Sequence, residues 1–62
     1  MSATQLRQLE REARAITEAT RRRDNLIREA RDSGETWQDI ARAAGMTRQG
    51  AHKAATRADV GG

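Results

Sequence analysis

A stretch of thirty residues without proline or glycine, from residue 3 to residue 32, constrains the fold more than any other feature of this sequence. Ser2 followed three residues later by Gln5 is a capping-box pattern, which marks the start of a helix. Ser33-Gly34 supplies the stop, with Gly34 in the left-handed conformation. A series of mostly small or apolar residues, interrupted by one arginine, recurs between these points at alternating spacings of three and four, which is typical of an α-helix. We therefore predict one helix over about 3–32, roughly 45 Å long at a rise of 1.5 Å per residue, whose repeating positions are Leu6, Leu9, Ala13, Ile16, Thr20, Arg23, Ile27 and Ala30.

The charges of this helix support the prediction. Asp24 and Arg28 are four residues apart, a spacing at which opposite charges stabilise a helix by a few tenths of a kcal/mol. Arg28 and Arg31 lie in the last turn, where cations interact favourably with the helix dipole. The run from Arg21 to Arg23 spreads around the helix circumference and is therefore not expected to form one basic patch.

Two shorter helices are predicted after the glycine stop, at about 36–44 and 47–57. Thr36 and Thr47 are the capping residues at which they begin. Residues 58–62 are expected to fray. The chain is thus predicted to be all-α, a single domain over residues 1–62 with a long N-terminal helix.

The composition excludes several kinds of site. There is no cysteine, and His52 is the only histidine, so no metal site is expected and no cofactor is implied. Apolar runs are too short to cross a membrane or to form a signal peptide, which favours a cytoplasmic location. Only 35% of the residues are hydrophobic and Trp37 is the sole aromatic residue, so a core of this size supplies about 3–5 kcal/mol at most. Disorder is the competing prediction for so charged a chain.

The segment from Trp37 to Ala54 resembles the helix-turn-helix family of small bacterial and phage regulators. Two helices that cross closely need a small residue at the crossing, which is Ala41, and a sharp turn with positive φ, which Gly45 permits. Gly50 departs from the family pattern, because it lies inside the third helix, where glycine costs about 1 kcal/mol. It is expected either to allow close approach to a DNA backbone or to leave the helix to become ordered on binding. The other matching positions are apolar: Ile40, Ala44, Met46, Ala51 and Ala54.

The resemblance implies that the third helix enters the major groove of double-stranded DNA. It assigns base contacts to residues whose side chains hydrogen-bond base edges, namely Arg48, Gln49, His52 and Lys53. Phosphate contacts fall to Thr36, Thr47, Thr56 and Arg57. The window between Asp39 and Asp59 holds no acidic residue, which is the charge pattern expected of a phosphate-binding surface; its basic residues are Arg42, Arg48, Lys53 and Arg57.

The first helix is about twice as long as a three-helix domain needs. Leu26, Ile27 and Ala30 are expected to pack against the helix-turn-helix pair, at Trp37, Ile40 and Ala54. Residues 3–20 then form a helical extension with nothing in their own chain to cover its apolar residues. We call these residues the apolar stripe, and predict that they contact either a second copy of the chain or a larger protein partner: Leu6, Leu9, Ala13 and Ile16.

Two functions compete at this point. The first is a sequence-specific DNA-binding transcriptional regulator. The second is a helical protein–protein interaction module, such as an adaptor, an antitoxin-like protein or a phage inhibitor, in which the helix-turn-helix is only a scaffold. An enzyme is not expected, because no nucleophile–base pair, metal set or phosphate-binding glycine loop is visible.

Overall fold

The structure, a computed structural model, describes the backbone of residues 2–61 and the side chains of residues 2–58. Over these residues the chain is helical and contains no strand: α1 spans Ala3–Asp32, α2 spans Trp37–Ala44 and α3 spans Arg48–Gly61. The all-α prediction with a long first helix is therefore confirmed.

Helix α1 begins and ends where the capping residues place it. At its start the Gln5 amide donates to Ser2 Oγ (3.2 Å) and the Ser2 amide donates to Gln5 Oε1 (2.9 Å), which completes the capping box. At its end Gly34 has a φ of 98°. The Glu35 amide there donates to the Ala30 carbonyl (3.1 Å), which closes the helix in a Schellman arrangement.

Threonine hydroxyls cap the two shorter helices. Thr36 Oγ1 accepts from the Asp39 amide (3.1 Å) and Thr47 Oγ1 accepts from the Gly50 amide (3.0 Å). Gly45 ends α2 with a φ of 68°, the left-handed conformation predicted for the turn. Helix α3 continues to Gly61 instead of ending near Arg57.

The longer α3 has a physical reason. Between residue 51 and residue 60 the chain has neither glycine nor proline to end the helix. Ala58 is also buried, with 8% of its surface exposed, so α3 still packs against the rest of the chain one residue beyond Arg57. The prediction that residues 58–62 fray is therefore wrong for residues 58–61, and Gly62 lies outside the described residues.

The core is small and consists mainly of alanine. Ile27 of α1 and Ile40 of α2 are its large buried side chains among the described residues, and Trp37 packs against them while only partly buried. Leu26, predicted to be in this core, is instead 63% exposed, because it lies one residue before Ile27 and so about 100° around the helix. The remaining buried core residues are alanines, which let the three helices approach closely: Ala41, Ala51 and Ala54.

The molecule is elongated, with principal extents of 48 × 22 × 15 Å. Its long dimension matches the length of α1, and α2 and α3 pack against the C-terminal half of that helix. None of the helices in the described part of the chain is both long and apolar enough to cross a membrane. Thr20 is partly buried in the structure, so the predicted extension of residues 3–20 is shortened by one residue: we call residues 20–58 the body and residues 3–19 the extension.

Candidate nucleic-acid interface

The N-terminal half of α3 presents its polar residues to solvent. Ala51 and Ala54 are fully buried against α1 and α2, so they fix which face of α3 is inward. At about 100° per residue, Gln49 and Lys53 lie on the opposite face. Gln49, Lys53 and Arg48 are all exposed. His52 is exposed as well, so all four predicted base-contact residues are accessible from solvent.

His52, the fourth, is committed to another contact. Its ring stacks on Trp37 with centroids 3.7 Å apart and planes inclined by 30°. The Arg31 guanidinium carbon lies 5.0 Å from the centroid of the same indole, a cation–π distance. Trp37 thus joins the end of α1, the start of α2 and the middle of α3. The sequence predicted a core anchor here, but did not predict the stack, because His52 follows Trp37 by fifteen positions and only the tertiary fold brings them together.

The three predicted phosphate-contact threonines differ in whether their hydroxyl proton is available to donate. The Thr36 and Thr47 hydroxyls accept hydrogen bonds as caps, so each keeps its own O–H to donate. The Thr56 hydroxyl donates to the His52 carbonyl (3.0 Å), so its proton is already used. A phosphate oxygen is an acceptor and needs a donor. In this conformation Thr56 therefore does not suit a phosphate, whereas the two capping threonines do.

Arg57, a predicted phosphate contact near the end of α3, contacts Asp24, which the sequence predicts to pair with Arg28. Its Nε lies 3.4 Å from Asp24 Oδ2, an ion pair that links α3 to α1. Asp24 also pairs with Arg23, at 3.0 Å between Arg23 Nη2 and Asp24 Oδ1. The predicted pairing of Asp24 with Arg28 is thus wrong, and Arg28 instead lies 3.9 Å from Asp32.

The burial of Asp24 explains this difference. It is 7% exposed, the only charged residue buried among the described side chains. It comes three residues before Ile27, so both lie on the inward face of α1, which α3 covers. A signal was present in the sequence, because a carboxylate at a core-facing position needs a cation from another element. Which cation meets it depends on the packing of α3.

Gly50 does not face the predicted DNA surface. It is partly buried, and a Cβ added there would lie 3.2 Å from Met46 Cε and 3.2 Å from Thr47 Oγ1. The expected role in close approach to a DNA backbone is therefore not supported by its position. Gly50 instead leaves room for the Met46 side chain under the first turn of α3.

The apolar stripe is open to solvent. Leu6 is 47% exposed, Leu9 57% and Ile16 67%, and Ala13 is exposed as well. A second apolar surface lies between α1 and α2, where Leu26 and Ala43 border a shallow depression of about 400 Å³. Among the described residues no group of three or more acidic, histidine or cysteine side chains is placed to hold a metal ion.

No protein-family model matches the chain, and neither a curated protein nor a solved structure is significantly similar to it. What the protein binds is therefore inferred from its own geometry and charge.

Proposed function

We propose that this protein binds double-stranded DNA sequence-specifically through α3 and acts as a transcriptional regulator in the cytoplasm. One observation carries the proposal: the exposed first turns of α3 present Arg48, Gln49 and Lys53, on a helix fixed against α2 by the Gly45 turn. An α-helix fits the major groove of B-form DNA, and the N-terminal residues of a recognition helix reach the base edges first.

The exposed side chains have the chemistry for base reading. Gln49 is able to bond adenine through both its amide oxygen and its amide nitrogen, and Arg48 is able to bond the O6 and N7 atoms of guanine. Lys53 lies one turn after Gln49 and reaches either a guanine or a phosphate. His52, held against Trp37, is assigned to shaping this surface and not to reading a base.

The distribution of charge supports the same surface. The net charge of the chain is only +3, but the window from residue 40 to residue 58 contains no acid. The Thr36 and Thr47 hydroxyls lie at the starts of α2 and α3, where backbone N–H groups favour anions. Several phosphate contacts make affinity fall steeply with salt, because each contact releases condensed counterions.

The test compares two glutamines. Gln49→Ala is expected to weaken binding to the preferred site by about 1–3 kcal/mol and to relax base preference at one position. Gln8→Ala, the same change at an exposed glutamine of the extension, is the matched control and is expected to leave binding unchanged. Selection of bound sequences from a random DNA pool measures the base preference of each variant, and fluorescence anisotropy titration measures its affinity. The proposal is wrong if the unaltered protein binds no DNA at low salt.

A second function is favoured by one observation, the exposure of the apolar stripe. Leucine and isoleucine side chains that protrude from a helix without cover favour contact with another protein. In this alternative the stripe binds a second copy or a larger partner, and α3 is a scaffold. Leu9→Arg then abolishes function while the Arg48→Ala/Gln49→Ala double variant retains it. If α3 binds DNA, the Arg48→Ala/Gln49→Ala double variant loses DNA binding and Leu9→Arg affects it less. The mass of the complex shows directly whether a homodimer forms.

A further inference from the structure

Asp24 is the one buried carboxylate of the body, and two arginines meet it. Its Oδ1 accepts from Arg23 Nε (3.3 Å) and Nη2 (3.0 Å), while Oδ2 faces Arg57 Nε at 3.4 Å. A buried carboxylate destabilises a fold unless it is paired and hydrogen-bonded. This one is paired from both sides, by a residue of its own helix and by a residue of α3.

The contact with Arg57 uses only one edge of the guanidinium. The group carries five N–H donors, and the four on its terminal nitrogens are distinct from the Nε that faces Asp24. The Arg57 side chain is 59% exposed, so those donors are accessible from solvent. Because guanidinium binds phosphate through such paired donors, an arginine held at Nε retains the donors that this recognition needs.

The space beside this ion pair is an open groove of about 720 Å³ between α1 and the end of α3. Its walls include Thr20 and Asn25, which carry polar hydrogens, and the cationic side chain of Arg21. Apolar side chains, Ile16 and Ala58, also line the groove, which places the cations of Arg21 and Arg57 beside the Asp24 carboxylate.

We propose that Asp24 is a positioning residue for DNA binding: it fixes the Arg57 guanidinium at the edge of this groove, so that its terminal N–H groups bind a phosphate of the DNA backbone. The inference rests on the proposed function. It extends the DNA interface from the first turns of α3 to the contact between α3 and α1. It also gives the buried acid a role other than holding the two helices together.

The proposal predicts an effect opposite in sign to simple electrostatics. Asp24→Asn raises the net charge by one, so charge alone makes DNA bind more tightly. Loss of the Asp24 carboxylate instead frees Arg57 to adopt other rotamers, so we expect affinity to fall about three- to tenfold. The slope of log K against log salt is expected to become shallower by about 0.9, the contribution of one phosphate contact.

The matched control is Asp32→Asn. It makes the same chemical change on the same helix, at a side chain that is 71% exposed and pairs only distantly with Arg28. This variant is expected to bind DNA as tightly as the unaltered protein, or more tightly, with an unchanged salt slope. Circular dichroism fixes a temperature at which every variant is folded, so that binding is not confused with unfolding.

A second variant tests the inference without touching Asp24. Arg57→Lys keeps the charge but loses the Nε contact, so it is expected to weaken DNA binding nearly as much as Arg57→Ala. Adding Asp24→Asn to Arg57→Lys is expected to cause no further loss. If Asp24→Asn tightens binding as Asp32→Asn does, or if Arg57→Lys binds like the unaltered protein, the positioning role is overturned. Both results leave the proposed function intact, which fails separately if DNA is not bound at all.

Discussion

Leu9 in the extension and Ile27 in the body lie on the same face of the same helix, yet their surroundings are opposite. They are eighteen positions apart, about five complete turns, so their side chains point in the same direction. Ile27 is 3% exposed and Leu9 is 57% exposed. Both are large aliphatic side chains on one continuous helix, so the difference in exposure is due to α2 and α3, which cover one half of α1 and leave the other uncovered.

This contrast shows that α1 is helical for two reasons. In the body, burial of the inward face adds to helix propensity. In the extension, every residue from Ser2 to Ala19 is exposed, so capping and propensity act alone. Most helix stability in proteins comes from packing of one face of the helix, and the extension has no such packing within the chain. The extension is therefore the part of α1 that gains least from packing within the chain.

The largest effect is expected from truncating a side chain in the core. Ile27→Ala removes one of two large buried side chains and is expected to lower the free energy of unfolding by about 2–5 kcal/mol. In so small a protein this is enough to unfold most of the chain. Leu9→Ala, the matched change on the same face, is expected to cost less than about 0.5 kcal/mol in dilute solution. Urea unfolding followed by circular dichroism measures both.

Varying the protein concentration tests whether a second copy of the chain covers the apolar stripe. The stability of the Leu9→Ala variant and of the unaltered protein is compared at increasing protein concentration. If the cost of Leu9→Ala grows with concentration, a second copy covers the apolar stripe. If Leu9→Ala costs as much as Ile27→Ala at every concentration, the two halves of α1 do not differ as described.

The turn between α2 and α3 gives an intermediate effect. Gly45 has a φ of 68°, and a side chain added there meets no atom within 4 Å. The cost of Gly45→Ala is therefore backbone strain alone, expected to be about 1–2 kcal/mol. Since the turn belongs to the body, thermal unfolding of the body should shift while the helical signal of the extension does not. An unchanged midpoint for the body would contradict a strained turn.

The smallest effect is expected from exchanging glycine and alanine in the two regions. Gly50→Ala restores helix propensity in α3 and is expected to stabilise the body by about 0.5–1 kcal/mol. The added Cβ meets the flexible end of Met46 and the capping Thr47 hydroxyl at 3.2 Å. At the starts of α1 and α2, the residues that correspond to Gly50 are Gln5 and Asp39. Both carry a side chain while their amides donate to the capping hydroxyl, so a side chain at residue 50 is compatible with the cap.

The matched change in the extension is Ala13→Gly. It is expected to reduce the helical signal at 222 nm while leaving the unfolding midpoint of the body unchanged, because exposed residues 2–15 do not contribute to the core. A lower midpoint would indicate that the extension and the body unfold together. A destabilising Gly50→Ala would instead show that Met46 cannot move aside.

Much of the fold was predictable because local interactions set it. The capping hydroxyls of Ser2, Thr36 and Thr47 start three helices, and Gly34 and Gly45 end two of them by adopting positive φ. These signals act within four or five residues of the chain, so their effect is legible in the sequence. The exposure of Arg48, Gln49 and Lys53 followed from the same helical periodicity.

The errors concern contacts between elements. The partners of Asp24 and the stack of His52 on Trp37 depend on side chains many residues apart. The predicted burial of Leu26 is wrong because a difference of one residue rotates a side chain about 100° around a helix. The predicted end of α3 is too early because the burial of Ala58 stabilises its later residues.

Three helices, their limits to within a few residues, and a positive-φ turn that brings α2 against α3 are all encoded in local stretches of the sequence. They are encoded there because caps, propensity and periodicity are local properties of the chain. Three features depend on tertiary packing instead. Asp24 is buried between two arginines, and Trp37 contacts both Arg31 and His52. Ile27 is covered, whereas Leu9 is not. These three features depend on how whole helices pack, where a small rotation or shift changes which side chains meet.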